Sequence, residues 1–473
     1  MGRYFGTDGV RGVANDTLTP QFALELGRAV GSELATAQEH LAPGEAGRPL
    51  VVIGRDPRRS GAMLESALAA GLCSVGVDVW RLGVVTTPAV AWIARHARAS
   101  AGIVISASHN PAPDNGIKIF SGAGFKLPDA EEEAIEARLD RLGASPASTA
   151  LGSGEPDDLP RPTGVELGRI EDRPDEVDAY LRFLVGLLPE RLEGLRLVVD
   201  CAHGAAARLA PRVLRELGAT VVAIGVEPDG DNINAGVGST HLGPLIARVQ
   251  AEGADLGLAF DGDADRCLAV DPEGKAVDGD HIMLLCLQHL RRTGQLASAD
   301  IVCTVMSNLG FEEAIAREGG VAVRAKVGDR YVLEEMQRRG IRIGGEQSGH
   351  VIFLDHNTTG DGLVTALRLL AAVKAADRPL AELVAQMTVY PQILENLRVE
   401  SVDSWRERPG IEAALDEAAA RLEGRGRLLV RASGTEPLIR VMAEGRDPLL
   451  VRQVVDDLLA VLRQLLAIEA ATR

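Results

Sequence analysis

The chain is poor in cysteine. It has five in 473 residues, Cys73, Cys201, Cys267, Cys286 and Cys303, scattered and without a CxxC pair. That usage fits free thiols in a reducing cytoplasm. Positive charge is also in deficit: 50 Lys and Arg stand against 67 Asp and Glu, a formal net charge of −17. Such a balance argues against nucleic acid or a membrane surface as partner, and an anionic substrate would need a local basic site set against the global field. No apolar run approaches the ~18–20 residues of a membrane-spanning helix. The opening Met1-Gly2-Arg3-Tyr4-Phe5-Gly6 has no apolar signal core, and Gly6 stands where N-myristoylation wants Ser or Thr. There is no P-loop, no GxGxxG after a strand, no HExxH and no kinase motif set, so neither nucleoside triphosphates nor nicotinamide cofactors are indicated.

What is present is ordinary for a soluble globular protein, 46% apolar and 25% charged residues. The length predicts three or four domains. The most informative stretch is Asp261-Gly262-Asp263-Ala264-Asp265-Arg266. The apolar run Leu256–Phe260 leads into it and reads as a buried parallel strand. The carboxylates then lie just past a strand end, where open α/β sheets bind ligands. Three acids in five residues repel one another unless a cation sits between them, and a hard divalent ion with oxygen ligands is the simplest answer. An EF-hand is excluded, because its glycine and glutamate positions hold Arg266 and Pro272. Three carboxylates under-fill a magnesium shell, which is completed by water and phosphate oxygens, so the loop predicts a phosphate-bearing partner.

The same plan recurs. Helical patterns starting near Thr86-Thr87-Pro88, His241-Leu242-Gly243 and Gly328-Asp329-Arg330 are followed by strands Gly102–Ile105, Leu256–Phe260 and Ile341–Gly344. Each strand runs into a polar loop: Ser106-Ala107-Ser108-His109, the aspartate loop, and Glu346-Gln347-Ser348-Gly349-His350. Earlier strand–helix pairs precede each unit. This spacing predicts an α/β fold of three similar α/β domains with mixed sheets, followed by a smaller α+β C-terminal domain in which Leu397–Val399, Arg427–Val430 and Leu438–Ala443 alternate like strands. Coincidence is the rival explanation, since strand–helix–strand units are common. The expected boundaries are 1–166, ending in a Pro/Ala/Ser-rich linker over 143–167, then 167–269, 270–380 and 381–473. The break between the second and third is expected near Asp271-Pro272-Glu273-Gly274.

The other loops carry chemistry in combination. Ser108, after a buried strand and before the turn-forming Asn110-Pro111, reads as displayed, although a serine capping a turn is the simpler alternative. The GxSxG elbow of a hydrolase is absent there. As a phosphoserine, Ser108 would supply the oxygen that the magnesium site lacks. Lys118 could neutralise phosphate charge nearby, or be a plain surface lysine. Glu346 and Ser348 suit sugar hydroxyls, and His350 could carry a proton near neutral pH or be structural. Arg431, Ser433, Gly434 and Thr435, with Arg440 on the next strand, form a candidate phosphate clamp.

Taken in order, the stretches Arg3–Gly12, the Ser108 loop with Asp114–Lys118, Asp261–Arg266, Gly345–His350 and Arg431–Pro437 resemble the α-D-phosphohexomutase family along the whole chain. Within it the N-terminal stretch and Gln347, where mannose and glucose enzymes often carry Met, resemble the bacterial branch that acts on glucosamine phosphates. The resemblance implies four domains around a central cleft, Ser108 as the phosphoserine, and one magnesium ion held by Asp261, Asp263, Asp265 and a phosphate oxygen on Ser108. It implies that Arg266, Glu346, Ser348, Arg431, Ser433, Gly434, Thr435 and Arg440 bind substrate. Arg11, His109, Lys118 and His350 become unranked candidates for charge stabilisation and proton transfer. The expected reaction interconverts glucosamine 6-phosphate and glucosamine 1-phosphate through glucosamine 1,6-bisphosphate as intermediate and activator, feeding amino-sugar nucleotide and cell-wall precursor synthesis. The expected setting is a cytoplasmic monomer or homodimer with a phosphosugar substrate. A phosphomannomutase or phosphoglucomutase using the same loops, and a non-catalytic phosphosugar-binding regulator, are the alternatives. The long 143–167 connection departs from the family pattern.

Overall fold

The computed structural model describes residues 3–6, 8–39, 47–143, 159–189, 191–433 and 437–466. It divides into two compact units, residues 1–306 with 322–385, and residues 307–321 with 386–473. The larger unit holds three α/β layers.

The first layer is a six-stranded sheet of β1 (Val10–Val13), β2 (Leu50–Arg55), β3 (Asp78–Val84), β4 (Ala101–Ile105), β5 (Asp114–Ser121) and β6 (Ile170–Asp172), ordered β1-β5-β4-β2-β3-β6. Strand β4 is buried at every position, as expected for a strand covered on both faces. On one face Val51, Ile53, Ile103 and Ile105 pack against Phe22 and Leu26 of α1 (Pro20–Glu39), Leu64 and Leu68 of α2 (Gly61–Ser74), and Ile135 and Leu139 of α4 (Asp129–Arg141). On the other face lies α3 (Thr87–His96), with Pro88 in its first turn. Helix α5 (Pro174–Gly186) packs on α3 and β3.

The second sheet comprises β7 (Arg196–Asp200), β8 (Thr220–Ile224), β9 (Leu256–Phe260), β10 (Cys267–Val270) and β11 (Ala276–Val277), ordered β11-β10-β9-β7-β8, with helices α6 (Leu209–Glu216) and α7 (Gly243–Glu252). The third comprises β12 (Ile301–Thr304), β13 (Ala322–Ala325), β14 (Ile343–Gly345) and β15 (Val351–Phe353), ordered β13-β12-β14-β15. Helix α8 (Gly279–Arg292) leads into it. The larger unit's part of this layer also holds α10 (Asp329–Arg339), α11 (Gly362–Ala376) and the short α12 (Leu380–Val384). The repeat is thus one of topology. Each layer carries a parallel trio in the same spatial order (β4-β2-β3, β9-β7-β8, β14-β12-β13), with one antiparallel return strand beside the first member (β5, β10, β15). All three polar loops are the links from parallel strand to return strand.

The smaller unit is an antiparallel sheet of β16 (Gln392–Arg398), β17 (Gly426–Ala432) and β18 (Leu438–Gly445), ordered β16-β18-β17. Helices α13 (Ile411–Leu422) and α14 (Pro448–Leu465) cover it through Ile411, Leu415, Val454, Leu458 and Leu462. This unit also takes in α9 (Leu309–Arg317), a segment that precedes β13 in sequence. Asn308 Nδ2 donates to Tyr390 O at 2.9 Å, Tyr390 N–H donates back to Asn308 Oδ1 at 3.0 Å, and Arg446 pairs with Glu313 at 2.9 Å.

Three expectations change. Asp271–Gly274 is the turn of the β10–β11 hairpin, closed by Asp271 N–H to Lys275 O at 3.0 Å, so the second sheet runs to Val277 and the expected boundary at 269/270 cuts through β10. Strand β6 lies beyond residue 166 yet extends the first sheet, pairing with β3. Of the predicted linker, residues 144–158 lie outside the described residues; Leu159 is buried in the first layer's core and Gly164–Glu166 form one 3-10 turn. Among the described residues no helix is long and apolar enough to cross a membrane.

Candidate functional site

Ser108 sits in the β4–β5 link with φ of 51°, a left-handed conformation that non-glycine residues hold only when their surroundings impose it. The surroundings are explicit. Ser106 Oγ accepts from Ser108 N–H at 2.9 Å and donates to Asp56 Oδ2 at 2.6 Å, so the turn-capping role belongs to Ser106. Arg58, after β2, has a fully buried guanidinium that is ion-paired to Asp56 at 2.8 Å. It donates to Ser108 O (3.1 Å), Asn110 O (2.8 Å), Asp114 O (2.9 Å) and Pro111 O. The serine is not displayed as expected; it is 1% exposed, because the β9–β10 loop closes over it. Its Oγ donates to Asp261 Oδ2 at 2.5 Å and stands 3.4 Å from His109 Nδ1. Burial, with Arg266 and Arg11 nearby, lowers the His109 pKa to about 4, so the ring is neutral at pH 7.

Asp261, Asp263 and Asp265 converge, with one oxygen from each lying within 4.8 Å of the others. Burial, and then the charges of Asp265 and Asp263, push the Asp261 carboxyl well above the usual range. Burial also opposes ionisation of Asp263, but Lys118 and the Thr87 hydroxyl outweigh it and hold that carboxyl below the usual range. Both bind the same oxygen: Thr87 Oγ1 donates to Asp263 Oδ2 at 2.7 Å and Lys118 Nζ at 3.0 Å. Asp263 Oδ1 and Asp265 Oδ1 are buried and lack a hydrogen-bond partner among the described residues. Oxygen donors, a mutual repulsion that a cation would relieve, and two orphaned carboxylate oxygens together fit a hard divalent metal such as magnesium.

Lys118, on β5, is no surface lysine. It is 2% exposed and also pairs with Asp8 at 3.0 Å and Asp265 at 3.6 Å. Burial works against its charge, yet Asp263, Asp8 and Asp265 raise its pKa above the ordinary lysine value. Asp8 in turn binds Arg11, from the edge strand β1, and Lys126 (2.6 Å); Lys126 reaches Asp329 (2.6 Å), which stands 3.7 Å from His350 Nε2. In the β14–β15 link, Glu346 Oε1 accepts from Gly328 N–H at 3.0 Å and Ser348 Oγ donates to Glu346 Oε2 at 3.2 Å. Arg266 N–H donates to Asp261 Oδ1 at 3.1 Å, and its buried Nε has no hydrogen-bond partner among the described residues. The structure therefore brings Ser108, His109, Lys118, Arg11, the three aspartates and Arg266 into one charged cluster, and links His350 to it through Asp329.

In the smaller unit, Arg431 and Arg440 stand directly opposite across β17 and β18. Burial, then the charge of Arg440, lowers the pKa of Arg431. Like charges opposed on a sheet are unfavourable unless an anion joins them. Arg440 Nη2 lies 3.5 Å from Ser433 Oγ. Gly434 and Thr435 lie outside the described residues.

Four domain models of the phosphoglucomutase/phosphomannomutase family match in order. They are alpha/beta/alpha domains I, II and III at residues 2–145, 178–274 and 278–390, and the C-terminal domain at 394–461. The chain belongs to the phosphoglucomutase/phosphomannomutase family. A relative named phosphoglucosamine mutase, from Desulforudis audaxviator, is 52% identical over 466 residues, covering 98% of this chain and 99% of that one. Among solved structures, a family protein of Burkholderia thailandensis superposes with a TM-score of 0.77 at 26% identity, covering 98% of both chains. The N-acetylphosphoglucosamine mutase of Aspergillus fumigatus, solved with GlcNAc-6P and magnesium, shares the fold at a TM-score of 0.59 and 19% identity, over 91% of this chain and 84% of that one.

Sequence reading missed Asp56, Arg58, Thr87 and Asn234. Asp56 and Arg58 follow a buried strand, β2, like the other polar loops, and that position was the available signal. Asn234 has no such lead; its Nδ2 donates to Ser108 O at 2.9 Å and Asn110 O at 3.0 Å.

Proposed function

We propose that the chain interconverts glucosamine 6-phosphate and glucosamine 1-phosphate, with Ser108 carrying the phosphoryl group. The 2.5 Å contact between Ser108 Oγ and Asp261 supports this most directly, since a phosphoryl group on that oxygen would adjoin three carboxylates that need a cation. Magnesium bound by Asp261, Asp263, Asp265 and a phosphate oxygen would neutralise charge on the group in transfer. In the first half-reaction the bond from Ser108 Oγ to phosphorus breaks, a bond to sugar O1 forms, and as the proton leaves O1 a proton is gained by Ser108 Oγ. Glucosamine 1,6-bisphosphate results. After it turns end for end, the bond from O6 to phosphorus breaks, the phosphoryl group returns to Ser108 Oγ, which gives up its proton, and O6 gains one.

Phosphoryl transfer is mainly positioning and charge stabilisation. Lys118 and Arg11, held by Asp8, would offset developing charge. His109, neutral and 3.4 Å from Ser108 Oγ, would exchange its proton, with His350 a second candidate. Glu346 and Ser348 would hold sugar hydroxyls. Arg266 and the Arg431, Ser433, Gly434, Thr435 and Arg440 set would hold phosphate. Five free cysteines and a net charge of −17 suit a cytoplasmic enzyme with no nucleic-acid or membrane partner.

Ser108→Ala tests the scheme. It should abolish turnover and remove covalent phosphate from the intact protein by mass spectrometry. Phosphate retained on the variant, or turnover near wild type, refutes it. Coupled assays with glucosamine, glucose and mannose phosphates should show preference for glucosamine; equal rates with glucose would move the assignment to a phosphoglucomutase.

A further inference from the structure

We propose that Asn234 is a positioning residue that fixes Ser108 relative to the metal loop, an inference that rests on Ser108 being the phosphoryl carrier. Two side chains hold the carbonyls of Ser108 and Asn110. Arg58 Nη2 donates to both, at 3.1 and 2.8 Å, and Asn234 Nδ2 donates to both, at 2.9 and 3.0 Å. Each carbonyl thereby uses both of its lone pairs. The two donors have different origins. Arg58 follows β2, in the same sheet as the strand that carries Ser108, and cannot set that sheet's register against its neighbour. Asn234 belongs to the second layer, where its backbone N–H donates to Ala202 O at 2.9 Å.

Gly262 of the metal loop completes the junction. A Cβ at Gly262 would stand 2.5 Å from Ser108 O and 3.0 Å from Asn234 Nδ2, so only glycine lets the loop close there. The Asn234 amide therefore lies where the serine loop and the aspartate loop meet. It pins the peptide that holds Ser108 at φ 51° and keeps Oγ beside Asp261. Asparagine suits the position twice over. Residue 234 itself has φ of 59°, which Asn tolerates better than most residues, and its side chain supplies the N–H donors. Asn234 is 7% exposed, which leaves little room for water to replace them.

Two substitutions separate this role from general stability. Asn234→Asp keeps shape and backbone preference but turns an acceptor toward two carbonyl oxygens. Asn234→Gly keeps the positive φ and deletes the amide. Loss of two hydrogen bonds that orient the reacting group should lower kcat by about 10- to 100-fold. The KM for glucosamine 6-phosphate should stay within about twofold, because the phosphate and sugar contacts are untouched. The single-turnover rate at which glucosamine 1,6-bisphosphate phosphorylates Ser108, followed by intact mass, should fall in parallel. A purely structural residue would lower the melting temperature and leave turnover per folded molecule unchanged. That result, or wild-type phosphorylation rates in both variants, overturns the proposal. If instead Ser108→Ala still carries phosphate, it is the carrier assignment that fails.

Discussion

Arg58→Met removes a cation whose five N–H donors are all used, from a site where its side chain and that of Asp56 are both wholly buried. The size of the loss depends on what is stranded. Three of the four carbonyls keep another donor: Asn234 serves Ser108 O and Asn110 O, and Asp114 N–H serves Pro111 O at 3.1 Å. Asp56 keeps Ser106 and one backbone N–H but loses the cation it is ion-paired to. The unpaired carboxylate therefore dominates, and breaking a buried pair of this kind costs about 3–5 kcal/mol. For a protein with about 5–15 kcal/mol in hand this is a large fraction. Urea unfolding should show the midpoint falling by about 1–2 M.

Adding Asp56→Asn should recover at least half of that loss, because the stranded charge is gone. The pH response carries the same logic. Burial already raises the Asp56 pKa above its ordinary value against the pull of Arg58, and without Arg58 the folded value climbs further. A raised folded pKa means that stability is gained on protonation, fully present below the unfolded pKa and lost as pH rises through the folded one. The Arg58→Met deficit should therefore shrink as pH is lowered through the carboxylate range. A loss under about 1 kcal/mol, or one equal with Asp56 present or replaced, would refute the reasoning.

Lys118→Met should leave Asp263 without its ion-pair partner, while Asp8 keeps Arg11 and Lys126, and should abolish activity; thermal melts should show magnesium raising the variant's midpoint more than the wild type's, and an equal shift in both would count against the shared charge site. Asp263→Asn should weaken magnesium binding in calorimetry by more than the about 10–100-fold typical of losing a supporting residue. His356 is held neutral, its pKa lowered to about 4 by burial and by Arg368, whose guanidinium contacts Nε2. Its folded pKa lies below the unfolded one, so its contribution is fully present above about pH 6.5 and lost as pH falls toward 4. His356→Gln should flatten the melting temperature over that range, and an imidazole resonance titrating near 6.5 in the folded protein would contradict the assignment.

Much of the site was legible because its chemistry is local. Three aspartates in five residues just past a buried strand already point to a cation rather than a solvated turn, and Leu256–Phe260 is the strand predicted, residue for residue. The three-layer plan was legible because strand and helix periods repeat at similar intervals. What escaped depends on register between distant segments. Arg58 finds its carbonyls about fifty residues on, and Thr87 meets Asp263 176 residues away. Strand β6, Ile170-Glu171-Asp172, is exposed throughout and shows no apolar alternation to mark it. The break expected near Asp271–Gly274 lies within a few residues of where the second sheet ends at Val277, and the boundary at 269/270 is early because hairpin turns and domain links use the same residues. Helix α9 joins the smaller unit through Asn308 and Glu313, which no local pattern announces.

The run of charges through Lys118, Asp8, Lys126 and Asp329 has a consequence for how the protein is made. During synthesis the first 126 residues emerge with Arg11, Lys118 and Lys126 gathered around Asp8, a cationic cluster with one acid. The acids that balance it, Asp263, Asp265 and Asp329, follow more than a hundred residues later. The first layer can close its apolar core within residues 5–159, yet this cationic end stays unmatched until the third layer is translated. A chain truncated in between would carry that cationic end without Asp263, Asp265 and Asp329 to balance it.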